Sequence, residues 1–272
     1  MTVSDYEHLQ CSWCRNTNPL GATSCHTCGA PLSAAALVSD AGWRAAPRIR
    51  DTTRFGFSNS SVEVEGEIVP VAEVDLAAGD GLFFEAHTLL WKTESMGLGS
   101  MSLGSGLGRL FGGMPMVITT VAGPGKIAFA RDSAGELVVL PLHPDMEIDV
   151  REHAFLVGTH TVSYDFVKID GLKNMLHGGS GMYMDRFRTH GQQGLVMLHG
   201  SGNVFEKVLA PGESIHVEPG AFLYKDATVT MQVEKQDVKT SALGKGLYLV
   251  RMTGPGRLGI QSMYHPHLGG SE

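Results

Sequence analysis

Four cysteines are the residues of this chain best suited to a defined chemistry. Cys11 and Cys14 stand in C-S-W-C, Cys25 and Cys28 in C-H-T-C-G-A-P-L, and together they make a Cys-x2-Cys-x10-Cys-x2-Cys pattern. Each knuckle presents a pair of thiolates, and two knuckles close a tetrahedral shell around one zinc ion at about 2.3 Å; Gly29 lets the second turn close. Four protein ligands leave no position for water or substrate, so the expected cofactor is a structural zinc. In so short a segment metal binding supplies on the order of 10 kcal/mol of folding free energy. Pairing into two disulfides is the competing reading. It needs an oxidising compartment, and the N-terminus lacks the charged start and apolar run of a secretory signal. His26 lies between better ligands and reads as a bystander.

No second constellation of this kind appears. Of the twelve histidines, His160, His177, His190, His199 and His216 fall neither at an H-x-H spacing nor beside a suitably placed glutamate, so a cupin-like metal centre is not expected. His265-Pro266-His267 has that spacing, but within a glycine-rich tail where chance metal capture is the simpler reading. Gly97 to Gly113 is glycine-rich yet lacks the lysine and hydroxyl that hold a nucleotide phosphate. The expectation is a non-enzymatic protein without catalytic residues.

The elements that carry these residues are set by an internal repeat. Leu76-Ala77-Ala78-Gly79-Asp80 is answered by Leu142-His143-Pro144-Asp145-Met146 and by Leu209-Ala210-Pro211-Gly212-Glu213, at spacings of about 66 and 67 residues. Leu82, Ile148 and Ile215 form one column, and Phe84, Val150 and Val217 the next but one. Leu89, Phe155 and Phe222 follow, then Leu90, Leu156 and Leu223. Apolar residues at every second position, then paired, are strand periodicity, the pair marking a bend or a change of covering sheet. His87 and His153 share a column with Gly220, which reads as a turn with positive or bridging φ rather than a metal site. The fold class expected is all-β: a pseudo-threefold prism or barrel of three β-sandwich repeats, preceded by a zinc ribbon. The domains are the ribbon at 1–32, an Ala/Ser/Arg-rich linker at 33–60 and the repeat body at 61–268. Repeats run over about 76–141, 142–208 and 209–265.

The 272 residues are 43% hydrophobic, enough for a large core, and no run is long enough to span a bilayer. The chain reads as soluble and cytoplasmic, with peripheral contact at a membrane surface left open. Its formal charge of −7 makes nucleic acid a poor partner for the body. Arg44, Arg48, Arg50 and Arg54 in the linker are best explained by contact with that acidic body.

The three-repeat layout, L-F-G-G before a strand, A-G-P-G-K-I-A-F-A, L-A-P-G-E-S-I-H-V-E-P-G-A-F-L-Y and M-T-G-P-G-R-L-G-I-Q-S resemble the Altered Inheritance of Mitochondria family over roughly residues 61 to 265. The resemblance implies a TRAP-like fold of β-sandwich repeats, no established catalysis, and, for mitochondrial members, a link to inner-membrane organisation. The cysteine segment is similar to Ran-binding-protein-2-type fingers, including Asn18. Arg15 and Asn16 stand where ubiquitin binders of that class carry their Thr-Phe or Thr-Tyr pair, so ubiquitin binding is not expected. Pro19 stands where the RNA binders carry an aromatic, which leaves Trp13 as the one stacking face. A plain zinc ribbon with a docking role fits best.

Partner contacts are expected at Trp13 and Arg15 of the ribbon, and in the connection M-G-L-G-S-M-S-L-G-S-G-L-G-R-L-F, which offers Met96, Met101, Leu103, Leu107, Arg109 and Phe111. The connection is too glycine-rich for a good helix and too apolar for an idle loop; packing over one end of the body is its alternative role. The middle repeat departs most from the others at Arg186-Phe187-Arg188, which adds Arg186 and Arg188. The functional expectation is a non-catalytic scaffold that forms a homo-oligomer or joins a larger assembly, with the ribbon recruiting a protein partner. The alternative is a regulator that holds a small molecule between repeats, or RNA through the finger and arginine linker.

Overall fold

The computed structural model describes residues 8–11, 14, 16–19, 22, 24–30, 32, 41–45, 53–101, 118–169, 182–236 and 247–263. Among these the chain is all-β, with no α-helix. The N-terminal strands are β1 (His8–Gln10), β2 (Thr17–Pro19), β3 (Trp43–Ala45), β4 (Thr53–Phe57) and β5 (Ser60–Glu65). The first repeat holds β6 (Val71–Leu76), β7 (Gly81–Glu85), β8 (Leu89–Lys92), β9 (Leu98–Ser100), β10 (Ile118–Ala122) and β11 (Gly125–Phe129). The second holds β12 (Gly135–Leu142), β13 (Glu147–Arg151), β14 (Phe155–Thr159), β15 (Val162–Ile169), β16 (Met182–Thr189) and β17 (Gly194–Ser201). The third holds β18 (Val204–Leu209), β19 (Ser214–Val217), β20 (Phe222–Asp226), β21 (Thr230–Gln236), β22 (Leu247–Thr253) and β23 (Gly256–Gln261).

Six strands in the same order recur in each repeat, and every repeat divides them the same way. The first, sixth and third lie side by side, as in β12-β17-β14, while the second, fifth and fourth form the opposite layer, as in β13-β16-β15. Each repeat is therefore a small sandwich. Its second layer continues into the first layer of the next repeat: β14 pairs with β7, and β20 pairs with β13. This makes open antiparallel sheets of six and seven strands, the latter including β3, rather than a closed barrel.

Equivalent turns repeat their hydrogen bonds. The amides of Gly123, Thr189 and Gly254 donate to the carbonyls of Asp80, Met146 and Glu213, in the same place in all three repeats. Gly123 and Gly254 lie so close to backbone that a Cβ would approach the carbonyls of Ala77 and Ala210 to 2.2 and 2.5 Å, which accounts for the Gly-Pro-Gly turns there. In the middle repeat Thr189 takes that place and its hydroxyl donates to the His143 carbonyl at 2.6 Å. The His87, His153 and Gly220 column is a set of turns, as its glycine implies: His153 has φ of 65°, whereas His87 and Gly220 lie in short 3-10 turns.

Paired apolar columns have a specific cause. Pairing skips Leu90, Leu156 and Leu223 between the residues on either side, a bulge at the same position of β8, β14 and β20. A bulge puts two neighbouring residues out of strict alternation. In β14 this sends Phe155 into the core of the second repeat and Leu156 and Val157 into that of the first. The sheet containing β12 is covered on both faces, Leu137 and Val139 toward the first core and Val138, Leu140 and Leu142 toward the second. The second core is aromatic, with Phe155 4.7 Å from Phe187 and Phe83 5.3 Å from Phe155, centroid to centroid. The third core gathers Val250, Met252, Phe222 and Leu258.

Folded sheet begins before residue 61. β4 pairs with β5, and Phe55 and Phe57 pack on the first core. β3 pairs with β18, Arg44 opposite Glu206. The arginine-rich composition of 33–60 conceals these two short strands, whose hydrogen bonds come from the body's edges. In the middle repeat β15 runs through Lys168 and Ile169, and residues 170–181 lie outside the described residues.

Candidate metal centre

The ribbon is two turns brought together by a short hairpin. β1 pairs with β2, Leu9 opposite Asn18. The Cys11 amide donates to the Asn16 carbonyl at 2.9 Å, closing the first turn. The second closes through Gly29 N to Cys25 O at 2.8 Å and Cys25 N to Ala30 O at 2.7 Å, with Gly29 at φ +74°, the conformation for which glycine is suited. All four sulfurs lie within 4.8 Å of one another and none is in a disulfide. Cys11 Sγ is 3.5 Å from Cys28 Sγ, and Cys14 Sγ is 3.5 Å from Cys25 Sγ. Sulfurs at tetrahedral corners about 2.3 Å from one ion are about 3.8 Å apart, so the cluster fits a single thiophilic ion bound by protein alone.

Asn18 holds the two turns in register. It is 2% exposed. Its Nδ2 donates to the Asn16 carbonyl at 2.8 Å, while its Oδ1 accepts from the His26 amide at 3.0 Å and lies 2.7 Å from His26 Nδ1. His26 is thus bound to Asn18 rather than to the sulfur cluster, an outer contact of the kind that orients metal ligands. The thiols compete for ionisation. Burial resists the charged form at Cys25, but the backbone amides of Cys28 and Thr27 and the Cys14 thiol outweigh it and bring its pKa to about 6. At Cys28 the Ala30 amide favours the thiolate, yet burial and the other three sulfurs push the pKa up to about 12. Gathering four thiolates without a cation is unfavourable.

Trp13 and Arg15 lie outside the described residues, as do Leu103, Leu107, Arg109 and Phe111. Met96 is 3% exposed within the first core, so it packs the body and presents nothing to a partner. Met101 donates its amide to the Ile118 carbonyl at 2.9 Å and rests, half-buried, on the second core. Both belong to the packing role of this connection. Arg186 is committed within the chain: Nε and one terminal nitrogen donate to the two Asp149 oxygens at 2.7 and 3.1 Å, and the other nitrogen lies 3.1 Å from Glu147 Oε1. Arg188, more exposed, pairs with the other Glu147 oxygen.

Three features were not anticipated from sequence. Lys225 and Asp149 form an ion pair with side chains 6% and 1% exposed. His199 is 5% exposed, and burial first, then the nearby Arg131 charge, lower its pKa to about 4. Leu90 and Trp91 stand 55% and 40% exposed although their columns are otherwise buried. An acidic or cationic residue inside a β-sheet carries no sequence signal of its partner, and exposure depends on neighbouring strands.

The sequence profile of a family described as mitochondrial biogenesis AIM24 matches residues 62–263. A protein of Streptococcus pyogenes serotype M6, described as uncharacterized, is 23% identical over 207 residues, 71% of this chain and 82% of its own length. A crystal structure of a Streptococcus pyogenes protein superposes with a TM-score of 0.60 at 18% identity, covering 76% of this chain and 94% of the other, a likeness of fold. The match begins at residue 62, so the cysteine cluster lies outside it.

Proposed function

Starting from the mitochondrial biogenesis AIM24 family, to which this chain belongs, we propose that the protein is a non-catalytic scaffold whose β body self-associates or docks on a larger complex or membrane surface while its ribbon recruits a protein partner. The observation that carries this reading is the pairing of β3 with β18. Lys207 reinforces it, donating to the Ala41 carbonyl at 2.6 Å with its ammonium 5.9 Å from the Trp43 ring centroid. The segment after the ribbon is thereby an edge strand of the body, an arrangement suited to presenting a second module.

The ribbon is assigned a structural zinc held by Cys11, Cys14, Cys25 and Cys28. Zinc supplies a cross-link between the two turns and compensates the thiolate charge; the protein side contributes Asn18, which fixes the approach of the turns, and Gly29, which closes the second. The proposed location is the cytoplasm, including a membrane face. Among the described residues no helix is long and apolar enough to cross a membrane.

Sedimentation velocity of the full chain with fluorescent single-stranded RNA, at low and moderate salt, tests this assignment against a nucleic-acid-binding regulator. The expected result is a concentration-dependent oligomer without comigrating RNA. A monomer that carries RNA in a salt-sensitive manner contradicts it.

A further inference from the structure

The third strands of the three repeats share their apolar columns but not their surroundings. Leu156 and Leu223 are 1% and 0% exposed and Val157 and Tyr224 are fully buried, whereas the equivalent Leu90 and Trp91 are 55% and 40% exposed. The difference follows from pairing. β14 is covered along its outer edge by β7, and β20 by β13. Repetition of the pattern demands β19 beside β8, yet among the described residues β8 pairs with β11 alone and β19 with β22 alone. The sheets that end in β8 and β19 stop there, at five and three strands.

The other two junctions define what an ideal partner for each edge is. Val157 faces Phe84 and Gly158 faces Phe83; Tyr224 faces Val150 and Lys225 faces Asp149. Beyond the ladder, the His160 amide donates to the Gly81 carbonyl and the Ala227 amide to the Glu147 carbonyl. Transferred through the repeat columns, this register sets Trp91 opposite Val217, Lys92 opposite His216, and the Glu94 amide against the Ser214 carbonyl. His216 already pairs with Glu234 at 2.8 Å, so Lys92 would enter beside a carboxylate.

Resting on the scaffold reading, we infer that the β8 edge of one molecule pairs antiparallel with the β19 edge of a second copy in this register. Each chain carries one edge of each kind, the two complementary halves of a junction its own fold uses twice, so two copies satisfy each other reciprocally. A foreign strand satisfies one edge and leaves the other open. Pairing extends a sheet through backbone hydrogen bonds and covers Leu90 and Trp91, an unprotected apolar edge that a lone chain leaves in water.

The test uses the full zinc-loaded chain in two single variants, Lys92→Cys and His216→Cys, mixed in equal amounts under mild oxidation, and the double variant beside them. The expected product of the mixture is a disulfide-linked dimer, absent from either variant alone, and Trp91→Lys weakens wild-type self-association by about tenfold or more with an unchanged melting curve. A disulfide confined within single chains of the double variant overturns the inference in favour of intramolecular closure. A wild-type oligomer without any cross-link overturns it while leaving the scaffold reading standing. A wild-type monomer at every concentration overturns the inference and removes self-association from the scaffold reading, which then rests on docking to a larger complex or membrane surface alone.

Discussion

Lys225 Nζ lies 2.7 Å from Asp149 Oδ2, and the two residues face each other directly across the junction of β20 with β13. The junction between second and third repeats is thus held by a buried charge pair as well as by backbone ladder. Burial alone would raise the Asp149 pKa, but the hydrogen bond from Arg186 and the charge of Lys225 outweigh it and hold the carboxyl below the ordinary carboxylate range. Removing one partner strands a buried charge, so Asp149→Leu, which leaves the buried Lys225 ammonium without its anion and leaves Arg186 with Glu147 alone, is expected to cost about 3–5 kcal/mol. Lys225→Met, which leaves Asp149 with Arg186, costs less. Denaturant melts of both variants and the double replacement check the order; equal losses contradict it.

Arg188 provides the contrast. Its pair with Glu147 is half exposed, and exposed pairs contribute about 0–1 kcal/mol. Arg188→Ala is expected to leave both stability and oligomer size near wild type, whereas Arg186→Ala lowers the melting temperature. Thermal denaturation with light scattering on the two variants distinguishes them.

His199 sets an acid limit. Its folded pKa of about 4 lies below the ordinary value near 6.5, so the unfolded chain binds the extra proton in between. Its contribution is therefore fully present above about pH 6.5 and is lost as pH falls toward 4, by at most on the order of 3 kcal/mol. Asp149 and Asp80 act lower: their depressed pKa values make stability that is present above the ordinary carboxylate range disappear in stronger acid. For Asp80 the cause is first the Ser60 hydroxyl, against burial, with help from Ser58. Urea midpoints from pH 7 to 4 are expected to fall in wild type and to fall less in His199→Leu.

Gly259 faces Tyr224 in the pairing of β23 with β20, and a Cβ there would come 2.1 Å from the tyrosine ring. Gly158 stands in the same relation to Phe83. Gly259→Ala forces a fully buried ring aside and is expected to cost roughly 1–3 kcal/mol, read as a drop in denaturation midpoint; a neutral effect would show that the ring has room to move.

The repeat made most of this fold legible before its structure. Columns such as Leu82, Ile148 and Ile215 marked strands because alternation records one buried face, and the doubled column at Leu90, Leu156 and Leu223 recorded a bulge. Cysteine spacing located the cluster because turn geometry and thiol chemistry act over a few residues. The pairing of β3 with β18 was hidden, since a three-residue strand such as Trp43–Ala45 is defined by the edge it joins. Lys225 and Asp149 were hidden for a related reason: 76 residues separate them, and neither shows in sequence which partner compensates its burial. Met96 and Met101 looked available for contact because a glycine-rich context resembles a surface loop, yet both side chains pack on cores.

Native mass spectrometry of the full-length protein at low and moderate salt tests the central claim most directly, because it counts chains, zinc and retained ligands together. The account predicts an even-numbered oligomer with one zinc per chain, the zinc lost without dissociation of the body when a chelator and a thiol reagent are added. A zinc-free monomer, or a monomer retaining RNA or a small molecule, would contradict it.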